Sequence, residues 1–110
     1  MPRLSPPSNL FGRRLREARL KLGIAQDKLG VMIGLDEQTS SARISRYESG
    51  VHEPPFSIAQ RLAAVLQVPP AFFYCDDNDM AALVVGFQHL PAAARTRLLE
   101  VLAELSPNHH

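Results

Sequence analysis

Cysteine is almost absent from this 110-residue chain: Cys75 stands alone, which excludes an internal disulfide. A reducing compartment is the simpler setting, and the N-terminus lacks the apolar core of a secretion signal, so a cytoplasmic protein is expected. No stretch approaches the roughly 18 continuous apolar residues that a membrane helix needs, so no membrane partner is expected. The histidines at 52, 89, 109 and 110 show no metal-ligand spacing with Cys75, and His109 and His110 read as part of a tail. "DDND" from Asp76 to Asp79 lacks the glycine and the distant glutamate of a calcium loop. No metal and no cofactor are therefore assigned. No nucleophile and base can be paired, and a chain of this length with 45% apolar residues supplies one small core rather than a deep catalytic cleft, so an enzyme is not expected. Strand alternation and internal repeats are also missing.

What the chain has is helical periodicity and an uneven charge. Its net charge is +1, yet residues 1 to 66 sum to +4 and residues 67 to 110 to −3. A front half that meets a polyanion would account for this, although a solvated surface would too.

The Pro- and Ser-rich start, residues 1–9, reads as a flexible lead-in ending at a cap, Ser8 or Asn9. Phe11, Leu15, Ala18 and Leu22 then form a helical stripe closed by Gly23, with Arg13, Arg14, Arg16 and Lys21 read as solvating that helix. A short second helix, "AQDKLGVMIG", is anchored by Leu29 and Ile33 and closed by Gly34. Its cap position, Ala25, offers no side-chain acceptor. A third helix, capped by Asp36 or Thr39 and ended by Gly50, turns Ile44, Tyr47 and Glu48 one way. Thr39, Ala42, Arg46 and Ser49 face the other way, flanked by Arg43 and Ser45.

Ser57 is placed to cap a fourth helix with Ile58, Leu62, Val65 and Leu66 inward, and "VPPAFFYC" makes a short apolar turn with Phe72 and Phe73 as core residues. The acidic run then caps a helix from Met80 to about His89, and Pro91 opens a last helix to about Leu105 with an apolar face of Leu98, Val101, Leu102 and Leu105.

From Phe11 to about Phe73 the order "LREARLKLGIAQDKLGVMIGL", "ISRYESG", "SIAQRLAAVLQV" resembles the Cro/cI-type, or Xre-like, helix-turn-helix family of transcriptional regulators. The resemblance implies an all-α fold with a compact five-helix, lambda repressor-like domain over residues 10–75, to which the residue patterns themselves add two C-terminal helices over 76–106 and a tail over 107–110. It implies that Gln26 bonds a DNA phosphate and braces the recognition helix. Ser41, Ala42 and Arg46 fall where family members reach base edges, with Arg43 at a flanking, often phosphate-facing position, and Arg19 and Glu48 match a partly buried ion pair. Three departures are visible. About four extra residues after Gly34 make Gln38 and Thr39 rival base contacts. The loop Val51, His52, Glu53 is not basic, which predicts a shallower salt dependence. Gly30 stands where the family usually has alanine, costing about 1 kcal/mol of helix propensity.

The expected function is sequence-specific binding of double-stranded DNA by a homodimer, in the manner of a repressor on a two-fold operator, with residues 76–106 as the candidate dimerisation element. The alternative is an antitoxin or anti-regulator whose C-terminal helices bind a partner protein.

Overall fold

The computed structural model describes residues 9–106, and its regular structure is helical throughout. The lead-in before Asn9, the cap reading of Ser8 and the tail over 107–110 lie outside the described residues.

Helix α1 runs Leu10–Leu22. Asn9, in extended conformation, accepts a hydrogen bond from the Gly12 amide at 2.8 Å, which satisfies one orphan donor of the first turn. Gly23, at φ 69°, turns the chain back so that its amide reaches the Arg19 and Leu20 carbonyls. Helix α2, Gln26–Met32, starts without a side-chain cap at Ala25. Helix α3, Glu37–Ser49, begins where Asp36 accepts from the Gln38 amide at 2.9 Å, so the extra residues after Gly34 add an N-terminal turn to this helix.

Helix α4 covers Phe56–Leu66. Ser57 does not cap it. Pro55 holds an extended ψ of 160°, and the helix begins at the very next residue, which leaves Ser57 already inside the first turn. A single 3₁₀ turn, Pro70–Tyr74, follows. Helix α5, Asn78–His89, starts two residues before Met80, because Asp77 accepts from the Met80 amide at 3.1 Å. Helix α6, Ala92–Leu105, follows Pro91.

The core gathers Phe11, Leu15 and Ala18 of α1, Leu29 of α2, Ile33 just after it, Ile44 and Tyr47 of α3, Leu62 and Leu66 of α4, and Phe72 and Phe73 of the 3₁₀ turn. The Phe11 and Phe73 rings tilt together at 4.7 Å between centroids. Leu22 departs from the α1 stripe: it is 42% exposed, because the last turn of α1 runs beyond the core and borders an open cleft beneath α5. Arg14 departs in the opposite direction. It is 1% exposed, not solvating, and Arg16 is also turned inward, with Nε 3.4 Å from Glu48.

Helices α2 and α3 approach closely at Gly30. A methyl group there would lie 2.8 Å from Ser40 Cβ, and the buried Ser40 hydroxyl donates to the Asp27 carbonyl at 2.5 Å. The glycine that looked costly in a helix is thus required by the inter-helix distance. Beyond the 3₁₀ turn, α5 buries Ala81 alone, and α6 buries no residue. This outlying helix pair helps make the molecule 52 Å long against 26 and 24 Å in the other directions. Arg95 fixes the α5–α6 corner by donating to the Phe87 and Gln88 carbonyls at 3.0 and 2.7 Å, with its guanidinium 5.0 Å from the Phe87 ring centroid.

Candidate nucleic-acid interface

Helix α3 is oriented by its buried side. Ser40, Ile44, Tyr47 and Glu48 follow one another at helical spacing, and all four are buried, with Ile44 at 0% exposure. The remaining surface then has to face outward. Gln38, Thr39, Ser41, Ala42, Arg43, Ser45 and Arg46 are all exposed, and together they form a polar and cationic ridge. Among the described residues, the guanidinium groups of Arg43 and Arg46 have no protein partner. Most of the small side chains beside them are tied only to their own helix or to none: Thr39 Oγ1 lies 3.4 Å from the Asp36 carbonyl.

The end of α3 is fixed by charge. Glu48, at 0% exposure, accepts from Arg19 Nε at 2.5 Å, Arg19 Nη2 at 3.1 Å, Gln26 Nε2 at 3.1 Å and Arg16 Nε at 3.4 Å. Arg19 Nη1 also donates to the Ile24 carbonyl at 2.9 Å, which holds the turn between α1 and α2. One carboxylate therefore ties α1, the start of α2 and the end of α3 together. The desolvation that isolates a buried charge is met here by several donors.

Gln26 is half-buried. Its amide gives one N–H to Glu48 and retains a second N–H and a carbonyl oxygen. The loop after Gly50 exposes Val51, His52 and Glu53, none of them a permanent cation. Further off, the half-exposed Tyr74 hydroxyl has its pKa raised above 10.0 by burial, with a smaller contribution from the Glu53 charge.

Three structural residues were missed in the sequence: Arg16, read as solvating, donates to Glu48, and Ser40 and Arg14 tie helices together. Ser40 links α3 to α2, and its only signal was the small Gly30 opposite. Arg14 lies three residues after Phe11 and four before Ala18, so helical spacing places it on the apolar stripe. Its charge suggested solvent.

A sequence profile described as helix-turn-helix matches residues 15–73, more than half of the chain. The chain belongs to the Cro/cI-type helix-turn-helix family. In helix-turn-helix terms, α2 and α3 are the two helices of the motif and α3 stands in the recognition position. An uncharacterized HTH-type transcriptional regulator of Sinorhizobium medicae (strain WSM419) is 37% identical over 65 residues, and so is one of Rhizobium meliloti (strain 1021). Each match covers 59% of this chain and 44% of the relative, so the matched region spans less than half the length of those relatives. The crystal structure of the transcriptional regulator BswR is similar over 87% of this chain and 95% of its own, at 35% identity and a TM-score of 0.82. That coverage extends the likeness of this helix-turn-helix protein beyond the profile match, into its C-terminal helices.

Proposed function

We propose that the protein is a sequence-specific DNA-binding transcriptional regulator, acting in the cytoplasm as a repressor, which inserts α3 into the major groove and binds a two-fold operator as a homodimer. The observation that carries this reading is the opposition on α3: Ile44 is fully buried, while Arg43 and Arg46 project outward without protein partners.

Arg46 is the direct reader, since one guanidinium can bond O6 and N7 of a guanine together. Gln38, Thr39, Ser41, Ala42 and Ser45 line the same ridge and approach neighbouring base edges. Arg43 and Gln26 take phosphates. The Asp36 carboxylate already occupies an amide at the start of α3, so that helix terminus offers phosphate less than an open one would.

Residues 10–75 form the reading head and residues 76–106 the dimerisation arm. Support for the arm comes from an apolar groove of about 570 Å³ between α5 and α6, lined by Leu83, Phe87, Leu98 and Leu102 among others. Leu99, Leu102 and Leu105 of α6 are more than half exposed. Apolar surface of this kind on a helix with no buried residue is what a second copy would cover.

Two measurements test the reading. Footprinting on genomic fragments should show paired protections about one helical turn, ~34–36 Å, apart. Leu102→Asp should convert a dimer to a monomer by light scattering with the helical content intact, because α6 contributes nothing to the core. A wild-type chain that is already monomeric removes the dimer, and a stoichiometric second protein in the complex favours a partner-binding role.

A further inference from the structure

We propose that Arg14 is a positioning residue: it sets the angle between the reading head and the dimerisation arm, and so fixes the half-site spacing that the dimer accepts. The inference rests on the dimer reading above.

The Arg14 guanidinium is buried, and each of its nitrogens donates a hydrogen bond. Nε bonds the Cys75 carbonyl at 2.8 Å, Nη2 bonds Asn78 Oδ1 at 3.1 Å, and Nη1 bonds Glu17 Oε1 at 3.0 Å. Its Cζ also lies 5.5 Å from the Phe72 ring centroid. One rigid fork therefore joins α1 of the reading head to the segment that enters α5 and to the first residue of α5 itself.

The other ties of α5 to the body are light apolar packing, with Ala81 buried and Val84 and Val85 half-buried against the core. At the far end His89 Nε2 lies 3.0 Å from the Gln67 carbonyl. Between Ala81 and His89 a cleft of about 490 Å³ separates α5 from α1, with Lys21 and Leu22 on one wall and Val85 and Gly86 on the other. A methyl group built on Gly86 would meet nothing within 4 Å. With one buried residue and two half-buried valines to hold it, α5 has room to shift towards this cleft once the Arg14 bonds are lost.

Leverage makes the swing matter. Over an arm of about half the 52 Å length, a rotation of about 10° moves the tip by about 4.5 Å, more than the ~3.4 Å rise of one base pair. None of the Arg14 hydrogen bonds goes to α3, so its loss leaves the reading ridge intact and changes how two ridges are spaced.

Duplexes carrying the two footprinted half-sites at spacings altered by −2 to +2 base pairs, with a single-half-site duplex beside them, give the readout by fluorescence anisotropy. The variants are Arg14→Lys, which cannot make the three-way fork, and Asn78→Ala, which removes one exposed acceptor and leaves the core untouched. The wild type should prefer one spacing. In both variants that preference should weaken by about ten-fold, with single-half-site affinity unchanged within about two-fold. An unchanged spacing profile in Asn78→Ala and Arg14→Lys overturns the inference, and so does an equal loss on every duplex, which would mark a purely structural role. A monomeric wild type removes the dimer reading and this one together, whereas a dimer with an unaltered profile removes this one alone.

Discussion

Gly12→Ala is expected to destabilise the protein by about 3 kcal/mol and to lower its melting temperature by about 15 °C. The new methyl would lie 2.8 Å from the Glu48 carbonyl carbon and 2.9 Å from the Tyr47 oxygen. Those atoms are backbone, so no rotamer change relieves the overlap and α1 and α3 must move apart. Separation also stretches the bonds from Arg19 and Gln26 to Glu48, which adds an electrostatic loss to the steric one. Helix propensity acts in the opposite direction, by about 1 kcal/mol in favour of alanine, and does not offset the sum. Gly86→Ala isolates that opposing effect, since its methyl meets no atom, and it should stabilise by up to about 1 kcal/mol. Thermal melts followed by circular dichroism separate the two. A Gly12→Ala protein as stable as the wild type would mean that the α1–α3 distance is not fixed as described.

Glu48→Ala should cost about 3 kcal/mol, because it removes the common acceptor and leaves Arg19, Arg16 and Gln26 partly buried without it. DNA affinity should fall as well, since the end of α3 loses its tie to α1 and α2. A double-mutant cycle with Arg19→Ala in urea denaturation supplies the test. The two losses should overlap, with a coupling of about 1–3 kcal/mol. Strict additivity would show that the pair stabilises nothing beyond its separate parts.

The all-helical class and the recognition helix were legible in the sequence because periodicity and caps are local signals. Asp36 starts α3 through its side-chain acceptor, and Gly23 and Gly50 end α1 and α3 in the left-handed conformation that glycine favours. What was illegible depended on distances between elements. Gly30 looked like a propensity defect until Ser40 appeared against it, and nothing local announces a neighbour ten residues away. Arg14 satisfied the helical stripe, yet its burial depends on acceptors at Cys75 and Asn78, more than sixty residues further on. Leu22 failed for the opposite reason: the stripe continues past the point where the body has anything to cover it. The ridge of α3 followed from the helical placing of Ile44, Tyr47 and Glu48, and the family resemblance supplied the roles given to Gln26 and Arg46.

Binding measured across single-base-pair substitutions of a footprinted operator, for the wild type, Arg46→Ala and Gln26→Ala, tests most directly whether α3 reads DNA. Arg46→Ala should lose about 1–3 kcal/mol of discrimination at one or two base pairs and keep the rest of the profile. Gln26→Ala should lower affinity for every sequence about equally. If Arg46→Ala retains the full wild-type preference, or if the two variants behave alike, the outward face of α3 is not the surface that selects sequence.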